Sequence, residues 1–268
     1  MGHNQSKDYS SEQRVGGKHS ILSLRRKSHK RRPPVNTSTP SEVRQTTQEV
    51  PTRQQPAGVT SKMSALLSLP SSNKQELLEK YFNQYKDEHE DAILAEGMEK
   101  FCNDLGVDPT EYIVLLLAWK FEASQMCRFS REEFVNGCQK MRVHDAKSLR
   151  SRFPEMRQEV KDDEKFNDLY KFTFTFGLDQ STGQRSLPVE MAIPLWELVF
   201  EQHRTLISSE WCQFLKETDV KGISRDTWNL FLPFSVTIKP DYSNYDESEA
   251  WPSLFDDFVD YQRQRLLS

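Results

Sequence analysis

From residue 73 onward, the chain places apolar residues three and four positions apart, the spacing that lines one face of an α-helix. The first such stripe includes Leu78, Tyr81 and Tyr85, and it follows Ser72 and Gln75, a pair of the capping-box type. This pattern predicts a helix that begins near residue 72.

Further helix starts carry similar signals. Asp108 is predicted to cap the helix that contains the nearly all-apolar run 112–119, and this run predicts a helix buried on most sides. Ser130 and Ser224 each predict another helix N-terminus, and the last helix is expected to begin near Pro252.

One segment fits two periods. Phe172, Phe174 and Phe176 alternate like a strand, whereas Leu169, Phe172 and Phe176 share one face of a helix. Because no second strand is evident to pair with them, we predict a helix here. The fold class that follows is all-α, over residues 73–266.

Residues 1–72 differ in composition. They contain six prolines and a single aromatic residue, too little apolar surface to offset the entropy cost of ordering. They hold 12 Lys and Arg against 4 Asp and Glu, whereas the remaining residues hold 24 against 36. We predict a disordered basic tail at 1–72, followed by an acidic helical domain.

This sequence lacks the signals that mark several classes of protein. No apolar run approaches the roughly 18 residues of a membrane span, and a secretory signal is missing, so a cytosolic or nuclear chain is expected. The four cysteines form no C-x-x-C pair, and nucleotide-binding, nucleophile-elbow and zinc-protease motifs are missing. We expect no cofactor and no metal; a cysteine nucleophile with a distant histidine remains an open alternative.

Two segments have the length of a calcium-binding EF-hand loop with helices on either side. In residues 179–190, Arg185 lies within the loop. In residues 122–133, Met126 and Arg128 stand where a hard cation needs oxygen ligands. We predict EF-hand geometry without calcium chemistry.

The first residues carry an independent pattern. Met1, Gly2 and Ser6 match M-G-x-x-x-[ST], the pattern of N-myristoylation. A single myristoyl chain binds membranes only marginally, so a second signal is needed. Lys and Arg residues attracted to anionic lipid supply it; they are Arg25, Arg26, Lys27, Lys30, Arg31 and Arg32.

This pattern predicts a chain tethered to an anionic membrane surface, located at the plasma membrane and in the cytoplasm with an additional nuclear pool. A nuclear localisation signal or contact with nucleic acid is the alternative interpretation of the basic run. Given the pattern at Gly2, no nucleic-acid partner is expected.

Three longer motifs in the helical region resemble a known family. They are FCNDLGVDPTEYIVLLLAWKFEA at 101–123, KGISRDTWNLF at 221–231 and SNYDESEAWPSLFDDFV at 243–259. They resemble the defective-in-cullin-neddylation family over its potentiating-neddylation (PONY) domain. The basic N-terminus makes the chain most similar to the N-myristoylated branch of that family.

The resemblance implies two EF-hand-like helical subdomains that form one PONY domain and bind no metal. It also implies a non-catalytic co-E3 scaffold. Such a scaffold binds a cullin C-terminal winged-helix domain and the N-terminally acetylated neddylation E2. With the RING subunit of the cullin ligase, it promotes transfer of the ubiquitin-like modifier to the cullin.

Site residues follow from the matched motifs. Contact with the cullin is implied for Asp226, Ala250 and Asp256. An apolar pocket for the acetylated methionine of the E2 is implied for Met98, Val114, Leu117, Met126, Cys127, Phe129, Phe176 and Leu198. Pro194 departs from the family pattern, and a proline inside that helix should kink it before Leu198.

We therefore predict a membrane-tethered neddylation co-E3. The alternatives are an inhibitor of cullin neddylation that sequesters cullins at the membrane, a lipid-anchored EF-hand-like calcium sensor, and a basic-tailed nuclear or nucleic-acid-binding adaptor.

Overall fold

The computed structural model describes residues 71–203, 205 and 207–267. Within these residues the fold is built almost entirely from α-helices, so the predicted all-α class is confirmed. Gly2 and the basic residues 25–32 lie outside the described residues, as does most of the predicted tail. The first helix begins at Ser71 and the last ends at Leu267.

The first subdomain contains two helix–loop–helix units. Its helices are α1 (Ser71–Asn83), α2 (Ala95–Leu105), α3 (Tyr112–Lys120) and α4 (Arg131–Met141). The two loops pair through short antiparallel strands, β1 (Ala92–Ile93) and β2 (Phe129–Ser130). Pairing of two such loops is the geometry of an EF-hand pair.

Two short helices, α5 (Ala146–Arg150) and α6 (Phe153–Glu159), connect this unit to the second subdomain. The second subdomain repeats the plan, and its helices are α7 (Asp163–Gly177), α8 (Val189–Val199), α9 (Ser208–Glu217) and α10 (Arg225–Thr237). Its loops pair through β3 (Ser186–Pro188) and β4 (Gly222–Ser224). A last helix, α11 (Ser253–Leu267), packs against α9.

The aromatic segment predicted as a helix lies in the last turns of α7, so that choice is confirmed. The predicted caps of α4 and α10 are also present. Ser130 and Glu133 form a reciprocal capping box, and the Ser224 hydroxyl accepts a hydrogen bond from the Thr227 N–H at 3.0 Å.

The prediction for α3 was wrong by one turn. Asp108 does not cap the helix; its carboxylate accepts a hydrogen bond from the Thr110 N–H at 2.8 Å and closes a separate turn. The helix begins afterwards at Tyr112, with Glu111 at the N-cap. Asp side chains close such local turns as readily as they cap helices, and sequence spacing alone does not separate the two.

The two loops singled out from the sequence do join helices in EF-hand fashion, but they belong to different subdomains. Loop 121–130 pairs with loop 84–94, and loop 178–188 pairs with loop 218–224. The sequence did not mark either partner loop. Pairing across a subdomain is a tertiary contact, which local spacing does not encode.

Arginine side chains supply positive charge at the first loop pair. The Arg131 guanidinium makes two hydrogen bonds to the Asp91 carboxylate, at 2.8 and 2.7 Å, and also pairs with Glu79. The hydrogen bond to Arg131 lowers the pKa of Asp91. Arg128 pairs with Glu90 at 2.5 Å. Among the described residues, no group of three or more His, Cys, Asp or Glu side chains is arranged to hold a metal ion.

Three fully buried aromatic residues form the centre of the second subdomain. Trp196 Nε1 donates to the Tyr170 hydroxyl at 2.8 Å, and that hydroxyl donates to the Trp228 carbonyl at 2.7 Å. In return, Trp228 Nε1 donates to the Tyr170 carbonyl at 2.9 Å. The Trp228 ring stacks on both neighbours. Hydrogen bonds and stacking together fix α7, α8 and α10 relative to one another.

Polar contacts join the two subdomains around the end of α3. Trp119 Nε1 donates to the Asp168 carboxylate of α7 at 2.8 Å, and Lys120 pairs with Glu159 of α6 at 2.5 Å. Helix α3 thereby lies between the subdomains. None of the helices in the described part of the chain is long and apolar enough to cross a membrane.

Replacing Tyr170 by Phe should lower the free energy of unfolding by about 1–3 kcal/mol, because the buried Trp196 indole N–H would lose its acceptor. Urea denaturation of the full chain measures this difference.

Tyr112→Phe is the matched control. The Tyr112 hydroxyl is buried and has no hydrogen-bond partner among the described residues, so its removal should change stability by no more than about 0.5 kcal/mol. Equal losses in the two variants would show that the hydrogen bonds of Tyr170 contribute nothing specific.

Candidate binding sites

An apolar cavity of about 680 Å³ lies where the two subdomains meet. Helix α3 forms one wall, the loop before α4 and the end of α7 form others, and α8 and α9 close the far side. Both subdomains therefore contribute to one cavity, and its shape depends on how they pack. A cavity of this size suits a small apolar ligand group or a peptide end.

Most residues assigned to the E2 pocket line this cavity. They are Met98, Val114, Met126, Cys127, Phe129, Phe176 and Leu198. Met98, Val114, Phe129 and Phe176 are buried, whereas Met126, Cys127 and Leu198 are partly exposed. The wall is thus fixed at its base and adjustable at its opening, where the flexible Met126 lies.

Leu117 is the exception, because it is fully buried in the core and does not line the cavity. Val114, Leu115 and Ala118 are the α3 residues that do. With 3.6 residues per turn, these three share a face and Leu117 points to one side of it. Helix geometry therefore places Leu117 in the core beside the cavity and not in the cavity wall.

Sequence reasoning missed the contribution of α9. Ser208, Cys212 and Lys216 recur every four residues and line the far side of the cavity. Their spacing identifies a helix face, but which face meets the cavity depends on the packing of the second subdomain. Lys216 also pairs with Glu197 of α8 at 3.0 Å, at the rim.

Two features of the wall depart from regular backbone geometry. Pro194 lies inside α8, where it removes one backbone hydrogen-bond donor, yet the helix continues to Val199. Cys127 has φ 59°, in the left-handed region that non-glycine residues seldom adopt. Such conformations concentrate at binding sites, where the surrounding fold holds them in place.

The cysteines differ in exposure. Cys102, Cys138 and Cys212 are buried, and burial raises the pKa of Cys102 and of Cys212 to about 12. Cys127 is the partly exposed member of the four and lies in the cavity wall. The least buried of the four thiols therefore lies at the cavity.

A second, more open groove of about 980 Å³ lies between α3, α4, α6 and α7. Its charged side chains pair largely with one another, as Arg152 does with Glu155 at 2.6 Å and Lys140 with Glu122 at 2.6 Å. Because these charges are already partnered, the smaller apolar cavity is the stronger candidate for a ligand site.

The residues assigned to cullin contact lie on and beside α10 and α11. Asp226 is exposed in the first turn of α10, where it also complements the helix dipole. Ala250 is exposed, and Asp256 is half-buried in the first turn of α11, where it accepts a hydrogen bond from the Tyr245 hydroxyl.

Aromatic packing holds this surface together. Phe255 lies 4.4 Å from Phe234 between ring centroids, and Trp251 lies 5.5 Å from it. These contacts bring Ala250 and Asp256 against the second half of α10. Asp226 lies eight residues before Phe234, about 12 Å along the helix. We call the surface formed by residues 241–260 and the exposed side of α10 the acidic face.

Comparison with known proteins agrees with this arrangement. Residues 148–261 match the cullin-binding family, a region that contains the second subdomain and the acidic face. Fold and matched region together define a cullin-binding protein of EF-hand-like architecture.

The chain belongs to the DCN1-like family. It is 51% identical to DCN1-like protein 3 of Homo sapiens over 233 residues, 86% of this chain and 75% of the relative. Identity to DCN1-like protein 3 of Xenopus laevis is 52% over 221 residues, 82% and 70% of the two chains. DCN1-like protein 3 of Drosophila melanogaster is 48% identical over 193 residues, which are 71% of this chain and 57% of the relative.

The family predicted from the three motifs is thus confirmed. The roles assigned to individual residues, and the lipid attachment at Gly2, stay predictions.

Proposed function

We propose that this protein is a non-catalytic co-E3 scaffold for cullin neddylation. The observation that carries the proposal is that the cullin-binding region presents an exposed acidic face, while a separate apolar cavity lies between the subdomains of the same core. Two such sites suit two partners held at once. The acidic face is proposed to bind the winged-helix domain of a cullin, and the cavity the acetylated N-terminus of the neddylation E2.

The cavity favours an uncharged chain terminus. Its base is formed by buried apolar side chains, so a free ammonium placed there would lose several kcal/mol of hydration without a buried partner. Acetylation removes that charge. An acetylated methionine supplies a flexible apolar side chain of the size that such a cavity holds.

A scaffold of this kind acts through orientation. Holding the E2 and the cullin with its RING subunit in one complex makes transfer of the modifier nearly intramolecular, which raises its rate without a catalytic residue in the scaffold. The proposed membrane tether, formed by lipid at Gly2 and the basic residues 25–32, would place this scaffold at a membrane surface.

The calcium-sensor alternative finds no support in the first loop pair. Its carboxylates at Asp91 and Glu90 are paired with Arg131 and Arg128. A calcium titration followed by tryptophan fluorescence tests this alternative directly.

Changing the acidic face should abolish co-E3 activity. Asp226→Ala, Ala250→Arg and Asp256→Ala combined should weaken binding of the cullin winged-helix domain more than tenfold, because two charges are lost and a bulky cation enters the interface. Single-turnover transfer of the modifier from charged E2 to a cullin–RING complex, with and without the full chain, measures the consequence.

Glu96→Ala with Glu99→Ala is the matched control, since both residues are exposed on α2, in the other subdomain. If the triple variant still accelerated transfer as the unmodified chain does, the acidic face would not be the cullin site. Slower transfer in the presence of the unmodified chain would favour the inhibitor.

The cavity is tested through its own thiol. A saturating acetylated peptide from the E2 N-terminus should slow alkylation of Cys127 by iodoacetamide about tenfold, because it fills the cavity in whose wall that thiol lies. The same peptide without the acetyl group should bind at least tenfold more weakly.

Mass spectrometry of the alkylated peptides gives both rates. The buried Cys102 and Cys138 serve as internal controls, because neither lines the cavity, and both should react slowly throughout. Equal protection by both peptides would contradict recognition of an acetylated terminus.

The proposed tether depends on Gly2. Gly2→Ala should move the protein from the membrane fraction to the cytosol, since N-myristoylation requires glycine at this position. Fractionation of cells that express the two forms measures the shift, with Ser10→Ala as the control within the same region. A variant that stays on the membrane would rule out lipid attachment at Gly2 as the main anchor.

A further inference from the structure

The acidic face carries much more negative than positive charge. Residues 241–260 contain no Lys or Arg and seven acidic residues, namely Asp241, Asp246, Glu247, Glu249, Asp256, Asp257 and Asp260. Arg263 pairs with Glu247 at 3.2 Å and reaches Asp260 at 4.0 Å. In the described part of the chain, no other cation lies within 4.0 Å of these carboxylates.

Apolar groups lie beside these charges. Val236, in the last turn of α10, is 71% exposed, and Ala250 is exposed as well. Trp251 and Leu254 are half-buried, with Trp251 packed on Phe234. A surface that combines apolar groups with carboxylates, most of which have no cation within 4.0 Å in the described part of the chain, suits a segment with both apolar and basic side chains.

The chain itself contains one such segment. Ile21, Leu22 and Leu24 come directly before the six basic residues of 25–32, and no acidic residue occurs between Glu12 and Glu42. Apolar and basic side chains are therefore adjacent here, as apolar groups and carboxylates are on the acidic face. We call residues 21–32 the basic segment.

The connection is long enough. Between Arg32 and Ser71 lie 38 residues, which span about 125 Å when fully extended. A compact domain of about 200 residues has a radius of gyration of roughly 16 Å, so any point on its surface lies within reach. Attachment to the same chain also gives the segment an effective concentration on the order of millimolar at this surface.

We propose that the basic segment binds the acidic face of its own chain and there competes with the cullin. This inference rests on the proposed function, because the surface is the one assigned to cullin binding. Exposed ion pairs are weak and screened by salt, so the contact opens readily. An anionic membrane attracts the same basic residues. Membrane binding would then free the acidic face, and cullin binding would be coupled to location.

Photo-crosslinking in the full chain tests the contact. The probe is p-benzoylphenylalanine in place of Leu24, in a chain that also carries Gly2→Ala so that no lipid is attached. Cross-links within one molecule should map to residues 236–260 at low salt, and should be lost at about 0.5 M salt, where the screening length is only a few ångströms.

Charge reversal on the acidic face supplies the matched comparison. Asp246→Lys, Glu249→Lys and Asp257→Lys combined should abolish these cross-links. Glu96→Lys, Glu99→Lys and Glu132→Lys, the same change on exposed acids of the first subdomain, should leave them intact. Cross-links spread over the whole surface, unaffected by either reversal, or formed between two copies would overturn the inference.

Binding of the cullin winged-helix domain to the full chain gives the second readout. Reversing the six basic residues of 25–32 to Glu should tighten binding about tenfold, as competition at millimolar effective concentration is removed. Vesicles containing phosphatidylserine should tighten binding to the unmodified chain similarly, and vesicles of phosphatidylcholine alone should not.

The two proposals fail separately. Cullin affinity that is measurable but identical in the unmodified and reversed chains, without the mapped cross-links, overturns the intramolecular contact and leaves the proposed function standing. Absence of cullin binding in both chains overturns the proposed function, and the cross-links then decide the contact independently.

Discussion

The second subdomain depends on one closed set of hydrogen bonds among Tyr170, Trp196 and Trp228. Each of these side chains brings a polar atom into an apolar core, where an unpaired donor or acceptor would be costly. Because the three residues satisfy one another's hydrogen-bonding groups, few alternative packings of α7, α8 and α10 are acceptable. This constraint fixes the position of α8, which forms part of the cavity wall, and the position of α10, which carries Asp226.

The two proposed sites differ in the physics that each one uses. The cavity between the subdomains is lined at its base by buried apolar side chains, whereas the acidic face is exposed and rich in carboxylates. Apolar burial gives a contact that salt affects little, and exposed charge gives one that salt and membranes modulate. A scaffold with one site of each kind can hold one partner steadily and exchange the other.

Local chemistry made much of the fold predictable. Ser130 and Ser224 cap the helices that they were expected to cap, because the signal and its partner lie within three residues. The helix cap predicted at Asp108 was wrong because the Asp108 side chain closes a separate turn with Thr110, before the helix begins. Seven of the eight residues that the family resemblance assigned to a pocket line one cavity, whereas the burial of Leu117 beside it depends on the rotation of α3, which the sequence does not give. The contribution of α9 and the hydrogen bond between Tyr245 and Asp256 join distant parts of the chain, so no local pattern contained them.

The guanidinium of Arg131 stands against the carboxylate of a loop whose plan is that of a calcium sensor. In a sensor, the positive charge arrives and leaves with the ion, and the helices open and close in response. Here the positive charge belongs to the Arg131 side chain, which is covalently part of the protein. Neither dilution nor a chelator can remove it from the Asp91 carboxylate. At this loop pair, an arrangement used elsewhere as a calcium switch is held by a positive charge that the chain itself supplies.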